Sequence, residues 1–329
     1  MRLPLHRQQI PLAATAIVLL ILFGTAALLY KGFFSIKVVL NLFSDNAFLG
    51  ITALGMTFVI LSGGIDLSIG AVIGFTTIFV ASMISQHAMH PILAWALALL
   101  LGTGLGAAMG LLIHLFKLPP FMVTLGGMFF ARGMAFVVSM LSVGINHPFY
   151  ERVLALGIPV TERAVIPASA MIFLALFVVA LYLAHYTRFG RNVYALGGNE
   201  QSAILMGLPV GYTQVMVYTF NGFCSALAGI VLTFYTGSGN PIHGIGMELD
   251  AIACVVIGGT LLTGGIGYVA GTLLGVLIFG TIQSILLFDG RLNSWWLRIV
   301  IGLLLFLFIV LQKLLSSASA SSRTEKVTP

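Results

Sequence analysis

The residue with the strongest claim to chemistry is Asp66. It lies in Leu61-Ser-Gly-Gly-Ile-Asp-Leu-Ser-Ile-Gly70, between two apolar runs, and is the one acid between Asn46 and Phe116. A carboxylate beside hydrocarbon is costly, so it needs a partner, a water-lined cavity or a function. Two readings stand side by side. Asp66 caps the helix that follows, where its oxygens take backbone N–H groups and its charge suits the positive helix end. Alternatively it marks a break at membrane depth whose carboxylate lines a path or gates it. Ser62, in the same turn, belongs with it in the second reading. Arg132 falls twelve residues past Pro120, a helical rise of roughly 18 Å, which puts it beyond mid-membrane. There it faces the bundle interior or a cavity, or snorkels to the interface. Thr57, Asn221 and Gln283 are uncharged polar groups inside apolar segments. They contact a substrate or bond across helices.

Other chemistries find little support. No GxxxxGK[ST] phosphate loop is present, so ATP is not hydrolysed by that route. No Ser/His/Asp set or carboxylate pair converges, and the chain is not read as an enzyme. His87 and His90 lack a nearby carboxylate or cysteine and make a poor metal pair. Cys224 and Cys254 fall in apolar runs and read as packing residues. No cofactor or metal is implied, and the net charge of +6 is scattered at segment ends rather than gathered for nucleic acid.

The elements that must position these groups are membrane helices. Of 329 residues, 59% are hydrophobic and 7% charged, against about a quarter charged in soluble domains. The fold class is an all-α polytopic membrane protein, in contact with lipid, with about ten transmembrane helices. Apolar segments are expected at 12–30, 46–62, 67–85, 92–115, 121–143, 166–185, 214–235, 249–263, 267–288 and 295–312. Runs this long and continuous do not suit a barrel. Residues 1–315 form one transmembrane domain, and the polar stretch 316–329 reads as a disordered cytoplasmic tail. Ten crossings put both termini inside. Arg2, Arg7, Lys117, Arg188, Arg191, Lys313 and, further out, Arg323 and Lys326 then fall on the inner side. The outer loops hold Lys31, Lys37, Glu151, Arg152, Glu162, Arg163 and Arg291, and the Gly/Pro-rich stretch Gly237 to Glu248 reads as another outer loop.

The turn at Asp66 has an echo. In Leu262-Thr-Gly-Gly-Ile-Gly-Tyr-Val-Ala-Gly271, Gly264, Gly265, Gly271 and Gly275 follow Gly63, Gly64, Gly70 and Gly74 at a constant offset of 201. Segments one to four thereby resemble seven to ten. The position equivalent to Asp66 is Gly267, so a turn of this shape forms without the acid. Parallel and inverted copies both remain open, since transporters use either.

The long internal loop reads Ala195-Leu-Gly-Gly-Asn-Glu-Gln-Ser-Ala-Ile-Leu-Met-Gly-Leu-Pro-Val210. Asn199 or Gly198 caps a short helix to Met206, Gly207 ends it and Pro209 stops it. The small apolar face around Ala203 and Ile204 lies on the membrane surface or docks a cytoplasmic partner.

Four stretches carry a family resemblance: residues 63–70, Pro-Phe-Met-Val-Thr-Leu-Gly-Gly-Met at 120–128 with Arg132-Gly133, Arg188 to Glu200, and 255–267. They resemble, in order, the permease subunits of bacterial carbohydrate ABC importers, the relatives of the ribose, xylose and autoinducer-2 permeases. Within that group, residues 45–50, 145–148 and 288–296 are most similar to a permease of the galactofuranose importer. The resemblance implies an inner-membrane permease that moves a monosaccharide inward by alternating access. It implies a periplasmic sugar-binding protein, a separate cytoplasmic ATP-binding subunit and a second permease subunit, as heterodimer or homodimer. Gly198, Asn199, Glu200, Ala203 and Gly207 match the family's coupling loop toward the ATPase, with Ser202 standing where an alanine is usual. Two other functions compete: an ion-coupled secondary transporter, which would need more intramembrane acids than Asp66, and a non-transporting membrane scaffold.

Overall fold

The computed structural model describes residues 10–161, 164–290 and 295–324. Arg2, Arg7, Glu162, Arg163, Arg291, Lys326 and the last residues of the expected tail lie outside these. The described chain runs α1 (Ile10–Leu29), α2 (Ile36–Asp45), α3 (Ala47–Leu61), α4 (Ile69–Ser85), α5 (Pro91–Phe116), α6 (Pro120–Val138), β1 (Val143–Gly144), α7 (Pro148–Ala155), β2 (Gly157–Thr161), β3 (Ala164–Pro167), α8 (Ala168–Tyr186), α9 (Arg188–Gly198), α10 (Glu200–Leu205), α11 (Val210–Thr236), β4 (Ser238–Gly239), α12 (Met247–Ile257), α13 (Val269–Asp289) and α14 (Trp295–Thr324).

Each of the ten expected apolar segments is a helix. Their lengths differ from the expectation in a way that matters. Among the described residues, six are long and apolar enough to cross a membrane, or seven if α2 and α3, bent by 57°, count as one span. The helices α4 and α14 have apolar stretches below that length, and α12 has only 11 residues. The short elements belong to the repeat: α3 and α12 each run into a Gly-Gly turn, and α4 and α13 leave it. α14 continues to Thr324.

Sequence punctuation accounts for the breaks. Pro91 and Pro120 open α5 and α6, where a missing N–H costs nothing. α5 ends on Lys117 in the left-handed conformation (φ +54°), and Leu118-Pro-Pro cannot continue it. Ser35, His147 and Thr187 cap α2, α7 and α9 with side-chain acceptors.

α11 is the central post. It packs most heavily on α5, then on α3 and α4. The α5 contact is glycine on glycine: a Cβ on Gly222 would collide with the Gly102 carbonyl and sit about 3.0 Å from Gly106 Cα. Small residues in this pattern let helix backbones touch in lipid. α3 is buried along nearly its whole length, whereas α1, α5 and α6 expose long apolar faces.

The repeat is resolved as parallel. Gly264 packs on Gly63, and the Gly265 N–H donates to the Leu61 carbonyl at 2.9 Å. Both turns therefore occupy one end of the bundle, so α3 runs with α12 and α4 with α13. The contacts repeat accordingly, with α4 on α11 matched by α13 on α1.

One expected loop is not a loop outside the bundle. From Gly239, the chain re-enters along α4. Gly239 abuts Thr77, the Thr77 hydroxyl bonds the Asn240 carbonyl at 3.2 Å, and Gly244 abuts Gly70. From Thr77 back to Gly70 is seven residues of α4, roughly 10 Å of helix. α12 thus starts inside the bundle and needs only half a span to reach its turn. Hydropathy misses this because Gly-Asn-Pro-Ile-His-Gly reads as solvent-exposed wherever it lies.

Gly222→Ala should destabilise the helix pair by about 1–3 kcal/mol through overpacking. A lower unfolding temperature of the detergent-solubilised protein would register it; Gly104→Ala, at a glycine facing open space, should leave it unchanged.

Candidate functional site

Asp66 is 1% exposed and fully bonded. Its Oδ1 accepts the Ser68 N–H at 2.7 Å and the Ser68 hydroxyl at 2.6 Å, and its Oδ2 accepts the Asn221 amide at 2.8 Å. It is not the cap of α4. Ser68 holds that position without a side-chain cap bond, and Asp66 grips it from two residues earlier in an Asx turn. The capping expectation is corrected accordingly: the carboxylate folds the turn on itself with one oxygen and ties it to α11 with the other. Gly55 makes room for this, since a Cβ there would strike the Asn221 side-chain oxygen. Thr124 on α6 closes the far side. Its hydroxyl accepts the Leu67 N–H at 3.3 Å and lies 3.0 Å from the Pro120 carbonyl.

The structure joins Asp66 and Asn221, with Ser62 at the other end of the same turn donating to the Val59 carbonyl at 2.7 Å. It leaves the remaining candidates elsewhere. Thr57 is buried and bridges α3 to α13 through Thr272 at 2.7 Å. Gln283 is half-buried on α13, whose main neighbours do not include α4 or α11. Arg132 faces inward, not to the interface: its guanidinium donates to the Pro241 carbonyl and, at 2.9 Å, to the His243 carbonyl. It clasps the re-entrant segment against α4, where Gly74 leaves the space.

The internal loop folds as α9 and α10, and it is built onto the turns. Asn199 is the cap of α10, accepting the Ser202 N–H at 2.7 Å, and Gly207 ends the motif at φ +74°. Ala203 is fully buried, under Leu196 and Val210, while Glu200 and Gly207 are exposed. At the end of α9, Gly197 and Gly198 meet both repeats. A Cβ on Gly197 would overlap the Leu61 carbonyl and come within 2.6 Å of the Gly265 nitrogen; a Cβ on Gly265 would lie 2.7 Å from Gly198 Cα. Three glycine pairs from three distant parts of the chain thus touch backbone to backbone. Around them Tyr194 donates to the Gly267 carbonyl at 2.8 Å, Phe189 stacks on Phe58 at 5.7 Å and His185 stacks on Tyr268 at 6.2 Å. Burial, with Tyr268 nearby, pushes the Tyr194 phenol up to about 12, so it remains a donor throughout the physiological range.

Sequence reading missed Ser68, Thr124, Tyr218 and Gly197. Ser68 was visible as Asp-x-Ser, an Asx-turn pattern. Nothing in the sequence marks the other three, because their partners lie far along the chain.

The arrangement is a set of breaks: the glycine turns, tied by Asp66, at one end of the bundle, and the re-entrant segment, clasped by Arg132, within it. Comparison with known proteins agrees with this character. Residues 38–309 match the family described as branched-chain amino acid transport system / permease component. The chain is 50% identical to the inner membrane ABC transporter permease protein YjfF of Escherichia coli, over 91% of this chain and 90% of that one. It is 41% identical to the ribose import permease protein RbsC of Bacillus subtilis, over 84% of each chain. It is 38% identical to the fructose import permease protein FruG of Bifidobacterium longum, over 94% and 92%. No solved structure matches the chain.

Asp66→Ala should cost about 1.5–3 kcal/mol for each charged hydrogen bond lost. Adding Asn221→Ala to it should cost little more, because the two residues share one bond. Thermal unfolding of the two single variants and the double variant checks this; additive losses would deny the coupling.

Proposed function

Since the chain belongs to this ABC-importer permease family, on its carbohydrate-importing branch, we propose that it is the transmembrane subunit of an ATP-driven monosaccharide importer. Its cargo crosses the inner membrane through a path gated at the Asp66 turn. The bundle makes ten crossings, with the re-entrant segment and α12 together forming the eighth, and both termini are cytoplasmic. A cytoplasmic ATPase docks on α9 and α10, with Gly198, Asn199, Glu200, Ala203 and Gly207 as the docking motif. A periplasmic sugar-binding protein delivers cargo to the opposite face, and a second permease completes the path as a heterodimer. Galactofuranose is the favoured cargo, on the resemblance at 45–50, 145–148 and 288–296.

The observation that carries this reading is the glycine junction. A helix held to both Gly-Gly turns by backbone contact cannot shift without shifting the turns. Force applied to α9 and α10 by a partner therefore reaches Asp66, two residues beyond Gly64, with no flexible side chain in between. An importer whose energy comes from a separate chain needs such a connection.

Proteoliposomes holding the complete complex should take up monosaccharide when ATP is supplied on the ATPase side, with or without an uncoupler. Uptake abolished by the uncoupler and indifferent to ATP would overturn the reading in favour of ion coupling. Gly207→Trp, at a positive-φ surface position, should abolish co-purification of the ATPase while the protein still inserts. Gly197→Ala should retain the ATPase but uncouple it, so that ATP hydrolysis persists as sugar uptake falls.

A further inference from the structure

Between α5 and α6 the packing leaves a gap. Leu118-Pro-Pro turns the chain sharply there, and α6 then leans on α4 more than on α5. The gap is a groove of about 400 Å³. Every residue that lines it is apolar or glycine. Its floor is the buried Met109, which lies against Gly127. Its rim is Leu112, Leu118, Met122 and Phe130, all exposed. Gly126 also lines it, and a Cβ there would meet nothing within 4 Å. Beside Leu118, at the end of the groove nearest the break, stands the exposed Lys117.

We propose that this groove seats one acyl chain of an anionic phospholipid, with the headgroup on Lys117. Its placement in the inner leaflet rests on the topology proposed above. Walls without a polar side chain give a sugar nothing to bond. The dimensions favour a single chain over a helix. From Leu105 to Leu112 is seven residues and from Met122 to Phe130 eight, roughly 10–12 Å of helix. A partner helix of that length fills about 800–1,100 Å³, at least twice the space present. One leaflet's hydrocarbon is about 15 Å deep, so an acyl chain descending from Lys117 matches the length of the groove. The two methionines, unbranched and adaptable, suit a flexible occupant.

Charge selects the headgroup. No acid lines the groove. Glu200 borders a different cavity across the break, which shares only Leu118 with the groove. Lys117 carries its ammonium on a flexible four-carbon stem, and a basic side chain at the membrane surface attracts anionic lipid. Burial of a chain and a charge contact act together, as stable lipid attachment requires two signals. The floor lies one layer from the gate turn. A Cβ on Gly127 would come within 3.6 Å of Ser68 Cβ, and Thr124, next to Val123 of the groove wall, accepts the Leu67 N–H. A chain in the groove therefore backs the helix that closes the turn.

The probe is phosphatidylglycerol bearing a diazirine on its acyl chain, at a few mole per cent in phosphatidylcholine nanodiscs that hold the complete importer. On illumination, peptides carrying Leu112, Met122 and Phe130 should be labelled several-fold more than those carrying Leu20 and Leu28, which are exposed on α1. Gly126→Leu fills the groove and should abolish that excess, while the unfolding temperature holds or rises because leucine forms helix better than glycine. Lys117→Gln should erase the preference for this probe over phosphatidylcholine bearing the same diazirine. Equal labelling of the groove and α1 would overturn the site and mark bulk lipid only. So would an excess that survives Gly126→Leu, or one blind to the headgroup in the wild type. Met122→Cys that cross-links to the second permease would overturn it in favour of a subunit interface. Labelling is read without transport. A complex that labels as expected yet imports no sugar with ATP would keep the site and overturn the import function.

Discussion

Three chain segments touch at one point through glycine backbones, and most of the structure follows from that contact. Leu61 to Gly64, Gly197 to Gly198 and Gly264 to Gly265 approach so closely that a Cβ on Gly197 or Gly264 would meet a neighbouring backbone. Gly63 and Gly264 take nearly the same left-handed geometry, φ +84° and +83°, which other residues reach only at a steric cost. The contact fixes both repeats at one end of the bundle and seats α9 on them. It also requires α3 and α12 to stop where they do. Backbone packing of this kind has no soft side chains to absorb displacement, so the junction transmits motion better than it dissipates it.

Two ionisable side chains hold breaks in the helices, Asp66 at the junction and Arg132 at the re-entrant segment. A helix interrupted inside a membrane protein frees N–H and C=O groups that lipid cannot satisfy. Asp66 takes up a freed N–H at the first turn and reaches α11. Arg132 takes up two freed carbonyls of the re-entrant segment. Arg132 is thereby spent on backbone alone, whereas Asp66 divides between one backbone N–H and the side chains of Ser68 and Asn221. The second turn has no carboxylate. There Tyr194, from outside the repeat, bonds the Gly267 carbonyl, so the loop helix does for one copy part of what Asp66 does for the other. The asymmetry of the duplicated turn is therefore structural before it is functional. One copy is tied to the core post α11, the other to the loop helix α9.

Much of this protein is written in single stretches of sequence. The helical state of the ten apolar segments, the cap at Asn199, the stop at Gly207 and the break at Lys117-Leu-Pro-Pro all follow from composition, periodicity and local backbone chemistry; their lengths do not, since among the described residues six helices, or seven with the bent pair, are long enough to cross a membrane. The duplication was legible as glycine spacing, and the unusual standing of Asp66 as a lone acid. Family membership was legible too, in four short motifs.

What tertiary structure alone decided is which of these features meet. Asp66 and Asn221 are 155 residues apart and bond only because Gly55 lets α11 approach α3. Gly197 carries no local signature that sets it apart from Gly198, yet it sits at the junction of both repeats. The stretch 240–246 looks like any polar loop, and only the path of α4 shows that it turns inward. Parallel orientation of the repeats could not be read from their sequences, since identical turns suit either arrangement; the contact of Gly63 with Gly264 settles it. Local sequence specifies elements through dihedral preference and hydropathy, which are properties of a few neighbouring residues. Partnership depends on the shape left between elements once they have packed, and no stretch of the chain contains that.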